Sequence, residues 1–225
     1  VLSVVIPTFN RRETLEIVLP MLARQTLSFE QYELLLCDSG STDGTAALVE
    51  ELAIPNLRHL RLTENRGRAG ARNAGIREAI GEFVMFTDAD ILPSPGLLEE
   101  HLRQHRLYPH SALVGMEVRV DTLDEYVRVL DNPHGKGRHL HGRRDKELSW
   151  MFFLTGNASA PRQGLLDAGL FDENFVNYGH EDLELGYRLQ KAHYPIRFDH
   201  LAVCYHWHPV VFETRCDNKY HTDIA

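Results

Sequence analysis

Phe83-Val84-Met85-Phe86-Thr87-Asp88-Ala89-Asp90 is the stretch that decides the fold. A short apolar run ahead of a polar break predicts a strand buried on both faces, as in a parallel sheet. Its carboxyl end delivers two carboxylates at the edge where open α/β sheets bind their ligands. Asp88 and Asp90 offer oxygen donors only, which suits Mg²⁺ or Mn²⁺ held together with phosphates. A plainer use for both is to cap the helix expected after Pro93 and Pro95. The flanking sequence weighs between these uses.

Upstream, strand and helix patterns alternate. Leu2 to Ile6, Glu33 to Cys37 and Leu57 to Leu62 read as strands, and helices are predicted near Arg12 to Gln25, up to Leu52, and near Ala69 to Ile80. Pro20 should bend the first helix, and Ser41 or Thr42 should cap the second. Downstream, a helix is expected near Gly96 to Arg106, a strand over Ala112 to Val120, helices near Gln163 to Ala168 and Glu181 to Ala192, and a last strand near Leu201 to Tyr205. This alternation predicts an α/β fold with a mostly parallel, doubly wound sheet and a less regular second half. Asn132 to Ser149, with three glycines and eight His, Lys or Arg residues, among them Arg143, Arg144 and Lys146, predicts a mobile basic loop.

The chain has 225 residues with a formal net charge of -8, 43% hydrophobic and 25% charged. That fits a globular domain and argues against nucleic acid as a partner. Cys37, Cys204 and Cys216 are too scattered for a disulfide framework or a thiolate zinc site, so a reducing, cytoplasmic setting is expected. No run approaches the roughly 20 apolar residues of a membrane span. The sequence opens at Val1, almost directly in a strand, which leaves room for flanking segments that associate it peripherally with the cytoplasmic face of a membrane. The first strand is not followed by Gly-x-Gly-x-x-Gly, and there is no Walker A loop. An Asp-x-Asp after a strand also occurs in phosphatases of the haloacid dehalogenase type. There the pair usually follows the first strand, whereas here three strand-helix units precede it.

Several stretches then agree with one family. Val5-Ile6-Pro7-Thr8-Phe9-Asn10-Arg11, Cys37-Asp38-Ser39-Gly40-Ser41-Thr42-Asp43, Asn65-Arg66-Gly67 with Ala71-Arg72-Asn73-Ala74-Gly75, and Thr87-Asp88-Ala89-Asp90 resemble the successive motifs of glycosyltransferase family 2. Gly179-His180-Glu181-Asp182-Leu183-Glu184 resembles its late acidic motif, in the form of a galactosyltransferase-like C-terminal segment. Each motif alone is weak, but five in order over Val1 to Pro209 are specific. Ser39 departs from the paired aspartates common in the second motif. The resemblance implies a GT-A-like nucleotide-diphospho-sugar fold in one domain, with residues 1–110 binding the nucleotide sugar and 111–225 supplying acceptor contacts and the base. It further implies metal-dependent transfer with inversion, from a donor usually carrying UDP to a glycan or glycoconjugate hydroxyl. A nucleotidyltransferase, or a non-catalytic sugar-nucleotide-binding module of a larger synthase, are the alternatives.

Roles follow from the resemblance together with side-chain chemistry. Pro7, Thr8 and Phe9 would flank the base, Asp38 would accept the uracil N–H, Arg72 would reach base or ribose, and Asp88 would contact ribose or a metal-bound water. Otherwise Asp38 is a turn aspartate beside Ser41, and Arg72 a solvated helix arginine. Asp90 would bind Mn²⁺ or Mg²⁺, joined by His206 in preference to His208. Asp182 would be the catalytic base, while Glu181 and Trp150 would contact the acceptor. First-turn acids such as Glu181 and Asp182 also serve simply to offset a helix dipole, and Trp150 could instead be a core residue.

Overall fold

The computed structural model describes residues 1–130, 147–175 and 179–207. Leu2–Thr8 (β1), Tyr32–Asp38 (β2), Leu57–Arg61 (β3) and Phe83–Phe86 (β4) alternate with helices Arg12–Ala23 (α1), Thr45–Leu52 (α2) and Gly67–Glu78 (α3). There follow Ile91–Pro93 (β5), Leu97–Leu107 (α4), Ala112–Val120 (β6), Leu123–Val129 (α5) and Glu147–Leu148 (β7). Ala158–Pro161 (β8), Arg162–Asp167 (α6), Glu181–Lys191 (α7) and Ile196–Trp207 (β9) complete the described elements.

The nine strands form one sheet in the order β3-β2-β1-β4-β8-β6-β9-β5, with β7 paired to β9. The long registers are parallel: β1 with β2 and β4, β2 with β3, and β6 with β9. Antiparallel pairing enters through β8, which lies between β4 and β6, and through β5 and β7 against β9. Strand alternation divides the core into two layers. Leu2, Val4, Ile6, Leu34, Leu36 and Met85 face α1, α2 and α4, whereas Val5, Leu35, Cys37, Val84 and Phe86 face α3, α6 and α7. Each face is thus covered by helices, which is why the parallel strands read as unbroken apolar runs.

Several details depart from the sequence expectation. Helix α2 starts later, at Thr45, behind the left-handed Gly44 (φ 89°). Asp43, rather than Ser41 or Thr42, accepts the Thr45 amide at 3.1 Å and its hydroxyl at 2.6 Å. Ala158–Pro161, hidden in a small and polar stretch, is a central strand because its neighbours on both sides supply the hydrogen bonds. Ile91–Pro93 is a strand rather than a lead-in to α4, with Pro93 as its last residue on the sheet's edge. Strand β9 runs from Ile196 to Trp207, longer than Leu201 to Tyr205. Its pairing with β6 slips between Gly115 and Met116, so that Gly115 pairs Asp199 while Met116 pairs Val203. A Cβ on Gly115 would lie 2.3 Å from the Ala202 carbonyl oxygen, so only glycine admits this irregularity.

Candidate active site

Pro7, Thr8, Phe9, Asp38, Asp88 and Asp90 lie at the carboxyl ends of β1, β2 and β4, and Arg72, Glu181 and His206 are joined to them through Asp88 and Asp90, whereas Trp150 lies apart. The β1 and β2 exits are knitted together: Ser39 N–H donates to the Thr8 carbonyl (2.9 Å), Asn10 N–H to Ser41 Oγ (2.9 Å), and Thr42 N–H to Asn10 Oδ1 (2.9 Å). Pro7 and Thr8 are buried, and Phe9 projects with 45% of its surface exposed. Asp38 is fully buried. Its Oδ1 accepts the Ser41 amide at 2.7 Å and its Oδ2 meets His59 Nε2 at 3.0 Å. Burial works against its charge, yet the bonds from Ser41 and His59 outweigh that and hold the carboxyl below the usual aspartate range. His59 is a partner the sequence did not flag, because a histidine in a strand carries no motif.

Arg72 is not a solvated helix arginine. It is 1% exposed, because α3 turns it into the protein against the end of β4. Nη1 donates to Glu181 Oε1 at 2.7 Å, Nη2 donates to Asp88 Oδ1 at 2.9 Å, and the guanidinium carbon lies 5.6 Å from the centre of the Phe171 ring. Burial disfavours the cation, but Asp88 and Glu181 overcome this and raise its affinity for the proton. One planar fork therefore joins the Asp-x-Asp turn to the first turn of α7. Next to it, Asn73 holds the loop before α7. Its Oδ1 accepts the Phe171 amide at 2.9 Å, and its Nδ2 donates at 2.9 Å to both the Phe171 carbonyl and Glu173 Oε1.

Glu181, expected on the acceptor side, is 4% exposed and directs one oxygen at Arg72. Asp182 follows it in the first turn of α7, behind the left-handed Gly179 (φ 96°) and His180 (φ 74°). Burial and the neighbouring Glu181 charge raise its carboxyl above the usual range, against the Leu183 amide, Arg72 and the Thr155 backbone. A carboxylate held in this way is a better proton acceptor than a solvated one. Trp150 is half-buried in a short 3₁₀ turn, edge-on to Tyr187 of α7 with ring centres 5.9 Å apart. The turn fits tightly, since a Cβ on Gly186 would lie 2.9 Å from the Trp150 carbonyl oxygen.

Asp90 and His206 face each other across the β5–β9 pairing. Ile91 pairs His206 in register, Trp207 N–H donates to the Asp90 carbonyl at 3.0 Å, and His206 Nε2 lies 3.7 Å from Asp90 Oδ1. On the other side of the ring, His206 Nδ1 is 3.0 Å from Glu117 Oε1, on β6. Burial opposes a charged imidazole, but Asp90 and Glu117 prevail and lift it to about 10. Asp90 and His206 supply one oxygen and one nitrogen donor, and among the described residues no group of three His, Cys, Asp or Glu makes a closed metal cage. This donor set fits a cation of the Mg²⁺ or Mn²⁺ kind, which takes few protein ligands and completes its shell with phosphate oxygens and water. His208 and the basic residues Arg143, Arg144 and Lys146 lie outside the described residues.

Polar atoms near these residues are left over. Thr8 Oγ1, Thr87 Oγ1, Arg72 Nε and Glu181 Oε2 are buried and have no hydrogen-bond partner among the described residues. Buried polar groups normally find partners, and these four line the ends of β1 and β4 and the Arg72 bridge.

Comparison with known proteins shows the family and the fold. The glycosyl transferase family 2 profile matches residues 3–167. The chain belongs to glycosyltransferase family 2. It is 33% identical over 221 residues to the validoxylamine A glucosyltransferase of Streptomyces hygroscopicus subsp. jinggangensis, covering 87% of this chain and 52% of that protein. TarS of S. aureus superposes with a TM-score of 0.72 at 21% identity, covering 92% of this chain and 36% of TarS, and shows a shared fold. The mannosyltransferase PcManGT of Pyrobaculum calidifontis, solved with GDP-Man and Mn²⁺, superposes with a TM-score of 0.68 at 26% identity over 91% of this chain and 56% of that one. The family 2 chain thus spans about half or less of the length of these relatives. Its GT-A-like sheet is the expected one. Among its described residues, no helix is long and apolar enough to cross a membrane.

Proposed function

We propose that this family 2 domain transfers a sugar, with inversion, from a nucleotide-diphospho-sugar to a hydroxyl of a glycan or glycoconjugate, using a divalent cation. The observation that carries the reading is the pairing of Asp90 with His206 at the sheet edge, bridged through Asp88 and Arg72 to the helix that begins at Glu181-Asp182. The base of the nucleotide would lie between the Phe9 ring and the buried Asp38, and the ribose beside Asp88. UDP is the first donor to test, on the strength of the motif resemblance. Asp90 and His206 would hold Mn²⁺ or Mg²⁺, which supplies positive charge to the departing diphosphate.

Asp182 would accept the proton of the acceptor hydroxyl as that oxygen bonds to the anomeric carbon from the face opposite the leaving group. The bond between the anomeric carbon and the diphosphate oxygen breaks with its electron pair, releasing the nucleoside diphosphate. Trp150 would line the acceptor side. Glu181, engaged by Arg72, would act on Asp182 rather than on the acceptor. Calorimetric titration of UDP and GDP with and without Mn²⁺ tests the donor half of this reading. The expected result is metal-dependent affinity for one of them that falls at least tenfold in Asp90→Ala. Equal affinity with EDTA present would refute it.

A further inference from the structure

His206 sits on β9 between two neighbours, and each presents it with a carboxylate. The β6–β9 register pairs Glu117 with Cys204 and Arg119 with His206, so Glu117 is the diagonal neighbour of His206 on one face of the sheet. Glu117 Oε1 reaches Nδ1 at 3.0 Å, while Nε2 points to Asp90. A carboxylate only accepts hydrogen bonds, so Nδ1 carries a proton and donates it to Glu117. The ring plane is then fixed, and Nε2 is the nitrogen turned toward Asp90. Gly156 keeps the space beside this contact open, because a Cβ there would stand 3.2 Å from Glu117 Oε2.

The geometry points to Glu117 as a positioning residue that fixes the orientation of His206 and keeps the proton on Nδ1, so that Nε2, on giving up its own proton, joins Asp90 in holding the divalent cation. Metal-binding imidazoles usually donate their second N–H to a carboxylate or carbonyl, and losing that partner typically weakens metal affinity by about 10–100-fold. The inference rests on the metal-dependent reading above. Glu117 itself needs no contact with the ion, the donor or the acceptor. At 30% side-chain exposure it can be replaced without opening the core.

The test is Mn²⁺ binding in the presence of saturating UDP, followed by electron paramagnetic resonance of free Mn²⁺ and by calorimetry. Glu117→Ala should weaken Mn²⁺ by about 10–100-fold. Glu117→Gln, whose amide oxygen can still accept from Nδ1, should lose much less. Binding of UDP in EDTA and the melting temperature should stay near wild type. In a His206→Ala background, Glu117→Ala should cost nothing further. Wild-type Mn²⁺ affinity in Glu117→Ala, or an equal loss with and without His206, would overturn the inference alone. Wild-type protein that takes no Mn²⁺ with UDP would overturn it together with the metal-dependent reading.

Discussion

Replacing Arg72 with methionine removes the cation that joins α3, α7 and the Asp-x-Asp turn, while leaving helix propensity and much of the side-chain volume in place. The two carboxylates left behind differ. Asp88 keeps 28% of its side chain exposed and can turn to water, whereas Glu181 has 5% and cannot. The loss therefore falls mainly on Glu181, stranded in the interior. Breaking a buried pair by removing one partner typically costs about 3–5 kcal/mol. Replacing both partners with apolar groups is often close to neutral, so Arg72→Met with Glu181→Met should regain most of the lost stability. Urea unfolding of the four proteins of this cycle measures both quantities. The single variant should fall by about 3–5 kcal/mol and the pair should show coupling of up to about 3 kcal/mol. A single-variant loss under about 1 kcal/mol, or additive losses in the double variant, would show that Arg72 is not what holds Glu181 in the interior.

Four further outcomes are expected. Gly75→Ala would put a Cβ 2.6 Å from Val5 Cγ1 and 2.8 Å from Cys37 Sγ; overpacking of this kind costs about 1–3 kcal/mol, against a helix-propensity gain of about 1 kcal/mol. The thermal midpoint should fall and recover in part with Cys37→Ala, while an unchanged midpoint would mean that α3 shifts freely. His101, bonded to Ser159 Oγ and Asn157 Oδ1 at 2.8 Å each, is pushed by burial down to about 4, against the Asn157 bond and Glu100. The unfolded chain then takes up its proton first, so this contribution is complete above about pH 6.5 and is lost as pH falls through 4, to a total of about 3 kcal/mol. Asp199 shifts the opposite way, to about 7, through burial and Glu100; the difference between wild type and His101→Gln therefore isolates the effect, and a difference that does not change between pH 7 and 4 would refute it. Asp182→Asn should lose about 10²–10⁴-fold in turnover with unchanged UDP affinity. Because Asp182 is raised above 3.8 in part by Glu181, Glu181→Gln should move the acid limb of kcat to lower pH, and a limb that does not move would remove Glu181 from the reaction.

The first half of the fold was legible because parallel strands covered on both faces write themselves as apolar runs, each closed by a polar turn. Asp88 and Asp90 could be placed at a strand end for that reason alone. The second half was harder. Ala158–Pro161 carries no β-branched residue and looks like a loop, and only its neighbours β4 and β6 make it a strand. Helix α5 announced itself through Thr122 and Glu125, a capping pair whose Thr122 Oγ1 accepts the Glu125 amide at 3.1 Å, but its short length hid the signal. Motif reading found Arg72 and Glu181 yet gave each a ligand to touch. That they bind each other depends on how α3 and α7 pack, which no local pattern encodes. Glu117 could have drawn notice as the one acid in a mostly apolar strand.

The Trp207 amide and the His206 ring meet the Asp-x-Asp turn only through the final described strand. On the ribosome, the Asp38 and Asp90 side emerges long before β9 exists. On the metal-dependent reading proposed above, a growing chain would display its donor-side residues with half of the proposed metal grip missing, and that grip would close only when β9 pairs. Forming contacts across such a sequence distance is slow, so on that reading the step that adds β9 to the sheet is also the step that brings His206 to Asp90.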